Sequence, residues 1–79
     1  MSLSEKAEEF SRKYHVTREK VESLFDKISA KLLYKNPAKF MFHRKTLYES
    51  TYEITDRYLQ MKMYTESKLE KMIKPSVLE

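Results

Sequence analysis

Not one of the 79 residues is glycine. Glycine supplies most positive-φ turns and helix terminators, so its absence argues against β-hairpins. It also removes the glycine-rich phosphate loops of P-loop and dinucleotide-binding folds. Only Pro37 and Pro75 punctuate the chain, and no stretch sustains a period-2 alternation of apolar and polar residues. The sequence therefore reads as all-α: a three- or four-helix bundle in which a helical hairpin is followed by a long C-terminal helix.

Residues 1–79 are expected to form a single helical domain. Its helices span about 3–14, 18–35 and 37–74, the last either continuous or broken near 43–46. Ser2 and Glu5 have capping-box spacing, with Ser4 as a competing cap. Leu3, Ala7, Phe10 and Tyr14 share one face of the first helix. His15 and Val16 interrupt that pattern. Thr17 can then cap a second helix, with Glu19 in the first turn complementing its positive end. Val16 and Val21 are placed for a hydrophobic staple. Val21, Leu24, Phe25, Ile28 and Leu32 continue at helical spacing. Asn36-Pro37 ends this helix and opens the next, because the residue before proline is steered from the α region and proline suits a first helical position. Thr46 and Glu49 repeat the capping-box spacing, which offers a fresh start at Leu47.

Two helices joined by a short break, the second opening at Thr-Arg-Glu, resemble the helix-turn-helix unit of DNA-binding proteins over about residues 9–25. Ser11 falls where that unit has a small residue, and Val16 and Val21 fall at its packing positions. His15 stands where its turn often has glycine, so a positive φ there would cost roughly 1 kcal/mol. The resemblance implies that Arg18, Lys20 and Ser23 approach base edges while Arg12, Lys13, Lys27 and Lys31 contact phosphates. Glu19, Glu22 and Asp26 lie on the same helix and would face phosphates. A second geometry leaves the hairpin structural and gives DNA contact to a basic belt.

That belt is the other functional lead. The formal net charge is +4, but its placement matters more than its size. Between Asp26 and Glu49 no acidic residue occurs, while Lys27, Lys31, Lys35, Lys39, Arg44 and Lys45 do. Lys27, Lys31 and Lys35 are four apart and form one ridge, where like charges repel by a few tenths of a kcal/mol per pair. The belt is either a solvated face paired with Glu49, Glu53 or Asp56, or a polyanion-contacting surface. Phe40, Met41 and Phe42 sit within it, either as core or interface, or placed to stack on bases or enter a membrane surface.

The long helix carries a heptad. Phe40, Leu47, Ile54 and Met61 recur at sevens, with Arg44, Thr51, Tyr58 and Thr65 between them. Tyr48, Tyr52 and Leu59 widen the stripe. The expected interface set is Phe40, Leu47, Tyr48, Tyr52, Ile54, Tyr58, Leu59 and Met61. It would pack on the hairpin and on a second subunit, giving a dimer, or on another protein.

No Ser/His/acid or Cys/His set is present, so an enzyme is not expected, nor a cofactor. His15 and His43 are isolated and cysteine is absent, so no metal site is expected. No apolar run is long enough to span a bilayer and no signal-peptide core is evident, which makes integral membrane association unexpected. A small secreted domain would usually carry disulfides, so without cysteine a reducing cytoplasm is the easier reading. The expected function is that of a small DNA-binding or regulatory protein with duplex DNA as partner. The alternative is a protein-interaction module or homodimeric adaptor using the Tyr/Met-rich helix face.

Overall fold

The computed structural model describes the backbone of residues 3–78 and the side chains of residues 3–72. Four α-helices and no strand occur among the described residues: α1 Leu3–Tyr14, α2 Arg18–Lys35, α3 Pro37–Met41 and α4 Arg44–Leu78. Ser2, expected as a cap, lies outside the described residues, and Ser4 is already helical.

The α1–α2 joint turns on His15, which adopts φ 54° and is the single non-glycine residue in the left-handed region among those described. It stands just past the end of α1, where the chain must reverse its screw sense to leave the helix. The Val16 N–H donates to the Ser11 carbonyl at 3.2 Å, the six-to-one bond of a Schellman ending. The Ser11 hydroxyl donates in turn to the Val16 carbonyl. This double link offsets the strain at His15. Thr17 follows in extended geometry, and its hydroxyl accepts from the Lys20 N–H at 3.2 Å, which satisfies one orphan donor of α2.

The core gathers Ala7, Phe10 and Tyr14 of α1, Val21 and Phe25 of α2, and Leu59 of α4, with Val16, Leu24 and Tyr52 packed against it. Phe25 lies at its centre. Its ring meets Phe10 edge-on at 5.7 Å and Tyr52 at 5.2 Å between centroids. Such pairs add about 0.5–1.5 kcal/mol beyond their burial.

At Asn36 the backbone N–H closes α2 on the Leu32 carbonyl, and Pro37 opens α3. Phe40 of α3 is buried, whereas Met41 and Phe42 face solvent. The chain bends at Phe42–His43, and α4 begins at Arg44 with the Leu47 N–H donating to the His43 carbonyl at 3.1 Å. The break thus precedes Thr46, which lies inside the first turn.

Helix α4 has 35 residues, about 52 Å at 1.5 Å per residue, and sets the 58 Å long axis of the molecule. It continues through Pro75 to Leu78, beyond the expected end at 74. Near a helix end a proline forfeits a single backbone bond, and the residue before it is disfavoured rather than barred from helical backbone.

The buried line of α4 is Leu47, Thr51, Thr55 and Leu59, four apart. Each step of four advances about 40° around a helix of 3.6 residues per turn, so the line curls across the hairpin. The expected heptad seam is therefore divided. Phe40 and Leu47 are inside, while Ile54, Tyr58 and Met61 are exposed. Thr51 and Thr55 enter the interior because each hydroxyl donates to the carbonyl four residues back, at 2.8 and 2.7 Å. Each leaves a methyl group to pack. From Met63 to Met72 every residue is exposed, so this part of α4 projects beyond the hairpin.

Candidate functional site

Along α2 two rows run in parallel, each stepping by four. Leu24, Ile28 and Leu32 are half-buried, and Lys27, Lys31 and Lys35 are exposed beside them. Ile54 and Tyr58 of α4 face the apolar row. Between the helices lies a groove of about 520 Å³ with these five apolar or aromatic side chains as its floor and the three lysines as one rim. The lysine stems extend the apolar wall, and their ammonium groups stay in water.

The rim continues toward the start of α2. Lys62 of α4 meets Lys20 across the seam. Hydrogen bonding and like-charge repulsion from Lys62 hold the Lys20 pKa below its ordinary value, with Glu66 opposing. The same side-chain hydrogen bond raises the Lys62 pKa. Lys20 to Lys35 covers about 22 Å of helix axis.

Two of the carboxylates that might have neutralised the belt are engaged elsewhere, while Glu49 lies with Lys45 in a depression between α1 and α4. Glu53 accepts from Arg57 at 2.8 Å. Asp56 accepts from the Tyr14 hydroxyl and from Lys13 Nζ, the latter at 3.3 Å. The Tyr14 hydrogen bond holds the Asp56 pKa below its ordinary value against the opposing effect of burial, with Lys13 assisting. Among the described residues no carboxylate pairs with Lys27, Lys31, Lys35, Lys39, Arg44 or Lys45. Arg44 and Lys45 also stand in the first turn of α4, where the helix dipole disfavours cations. Lys39 lies 5.3 Å from the centroid of its neighbour Phe40.

The residues read from the helix-turn-helix resemblance are differently placed. Arg12 pairs with Glu8 at 2.8 Å. Arg18 pairs with Glu22 at 3.0 Å and also donates to the Ser4 hydroxyl. Ser23 is exposed, on a side of α2 that also carries Glu19 and Asp26. The acids and the lysines thus occupy opposite flanks of α2, and the lysine flank is the one beside α4.

Of the expected interface residues, Phe40, Leu47 and Leu59 are used by the interior and offer no surface to a second chain. Tyr52 is half-buried against Phe25, and Tyr48 stacks on it at 6.5 Å. Ile54, Tyr58 and Met61 remain open at 41%, 46% and 69% exposure. With Thr65, Leu69 and Met72 they form a seam stepping by threes and fours that continues from the groove along the projecting part of α4. Leu24, Ile28 and Leu32 read from the sequence as the packing face of α2 rather than as a binding surface, and Lys62 carried no signal there. The signal was present in the two parallel rows of α2.

A second depression, between α1 and α4, is lined by Lys6, Lys45, Tyr48, Glu49 and Tyr52. Lys6 spans it with its ammonium 5.7 Å from the ring centroids of both Phe10 and Tyr52. No group of three His, Cys, Asp or Glu is placed to hold a metal ion among the described residues. No described helix is long and apolar enough to cross a membrane. No family model, curated protein or solved structure matches this chain.

Proposed function

We propose that this chain is a non-enzymatic protein-interaction module that binds a partner through the α2–α4 face. The observation that carries this reading is the apolar seam of Ile54, Tyr58, Met61, Leu69 and Met72, which no other described element covers. Contiguous apolar surface of this kind marks an interaction site on a small domain. Methionine adapts to a partner's shape, and tyrosine offers a large ring with a wet hydroxyl. A photo-crosslinking residue at Met61, with a control at Glu8, tests it in cells. A protein adduct of defined mass from position 61 alone is expected. Nucleic-acid adducts from that position, or none, would overturn the reading.

Duplex DNA is the second reading, favoured by six belt cations without carboxylate partners among the described residues. The acids Glu19, Glu22 and Asp26 weigh against α2 entering a groove. Phosphate contact then falls to Lys27, Lys31, Lys35, Lys39, Arg44 and Lys45. Anisotropy of a labelled random duplex should show binding that weakens steeply with salt, because the slope reports released counterions. No binding at low salt would remove this reading for random duplexes. A homodimer through the same seam would double the mass seen by sedimentation.

A further inference from the structure

We infer that the α2–α4 groove docks an acidic amphipathic α-helix of a partner protein, with its apolar side chains on Leu24, Ile28, Leu32, Ile54 and Tyr58 and its carboxylates on Lys27, Lys31 and Lys35. The inference rests on the protein-interaction reading and gives that partner a chemistry.

Three features of the groove lead there. Its floor is apolar and lies between two helices, which is how grooves receive an amphipathic helix. Its rim is basic on the α2 side, and no described carboxylate neutralises it. The rim cations repeat every four residues, a rise of about 6 Å. A helical ligand with acids at i, i+4 and i+8 presents charges at the same interval, so one ridge can meet the other along its length. Lys20 and Lys62 extend the positive edge beyond the groove, so a ligand of four turns would still lie along cations.

Other occupants fit less well. A duplex would bring phosphates over apolar side chains, where unpaired anions lose hydration without return. A second copy of the chain would offer the seam of its own α4. Lys62 and Lys68 flank that seam, so lysine would face lysine.

The test uses the full chain and three synthetic helical peptides of about 15 residues, a length that covers the lysine row. One carries a leucine face flanked by glutamates. The second has lysines in place of the glutamates. The third keeps the glutamates and replaces the leucines with glutamine. The glutamate–leucine peptide should bind at least about tenfold tighter than either other peptide. Amide and methyl resonances of Leu24, Ile28, Leu32 and Ile54 should shift on titration. The triple variant Lys27→Glu, Lys31→Glu, Lys35→Glu, checked for retained helicity by circular dichroism, should reverse the preference toward the lysine-flanked peptide. That reversal is a gain of binding which misfolding cannot imitate.

Equal affinity for the glutamate- and lysine-flanked peptides would overturn the inference. So would shifts confined to the Lys6–Tyr52 depression, or no saturable shift up to about 1 mM peptide. Protein crosslinks from position 61 that persist alongside any of these results would leave the interaction module standing and place its contact elsewhere. Displacement of the bound peptide by a random duplex would assign the groove to nucleic acid instead.

Discussion

Replacing Tyr14 by Phe removes one hydroxyl and leaves the ring in place, which isolates the link between α1 and α4. In the native chain that hydroxyl donates to Asp56 Oδ1. A hydrogen bond to a charged group contributes about 1.5–3 kcal/mol. The Asp56 side chain keeps 33% of its exposure, so water can replace the phenol in part. The loss therefore belongs at the low end, about 1.5 kcal/mol, equivalent to a fall in Tm of about 6–12 °C for a chain this size. The pH dependence is more discriminating. The Tyr14 hydrogen bond depresses the folded pKa of Asp56. Its contribution is therefore fully present above the unfolded carboxyl value of about 3.9 and is lost as pH falls through the folded value. Tyr14 acts in the opposite direction. Burial, then its bond to Asp56, raises the phenol pKa. Stability from that shift is present below the unfolded value of about 10 and is lost as pH rises through the folded one. Urea titrations of the native chain and the Phe variant across the pH range should show the widest gap near neutrality, narrowing at both ends. A variant as stable as the native chain at pH 7, or a gap unchanged between neutral and strongly acidic pH, would refute the reasoning.

Six further substitutions, at His15, Leu59, Met61 and Thr55, probe the fold. At His15, glycine should equal or exceed the native stability by up to about 1 kcal/mol, while valine should lose more than 1 kcal/mol because a β-branched residue fits positive φ poorly; chemical denaturation should rank glycine, histidine, valine. Leu59→Ala should cost about 2–5 kcal/mol through the cavity it leaves, whereas Met61→Ala at 69% exposure should stay within about 0.5 kcal/mol. A comparable loss at both positions would mean that α4 packs by the heptad after all. Thr55→Val should change stability by less than about 1 kcal/mol, since the hydroxyl bonds only its own helix, while Thr55→Ala should cost more by opening a void; thermal melts of the pair decide it.

These substitutions also mark where the fold was legible in the sequence. The α1–α2 joint could be read because each of its signals is local. Thr17 caps, Val16 and Val21 flank it, and His15 stands where the chain must leave the helix. The face of α4 could not be read in the same way. Hydropathy ranks Ile54 and Met61 above Thr51 and Thr55, yet the threonines are inside. A threonine hydroxyl can bond its own backbone, and pattern reading has no means to count that bond. The seam that looked like a heptad is part interior and part open surface for the same reason. Asp56 was a plausible neutraliser for the belt until the fold brought Tyr14 to it, a contact 42 residues distant in sequence. The lysine ridge itself was plain from spacing. That an apolar groove lies beside it depended on where α4 crosses, which no local signal encodes.

The projecting part of α4 has a thermodynamic consequence. Nucleation is the unfavourable step in making a helix, and the docked turns from Arg44 to Lys62 have already supplied it. Residues 63–72 need only propagate, with an equilibrium near unity per residue. Their amide exchange should therefore quicken as a gradient toward the C-terminus, without a sharp boundary. Cooling should lengthen the helix, and warming should shorten it turn by turn well below the melting of the core. A chain that met these turns would find them already close to helical, so little entropy would be lost in ordering them. The number of turns engaged could then vary with temperature while the docked bundle stayed unchanged.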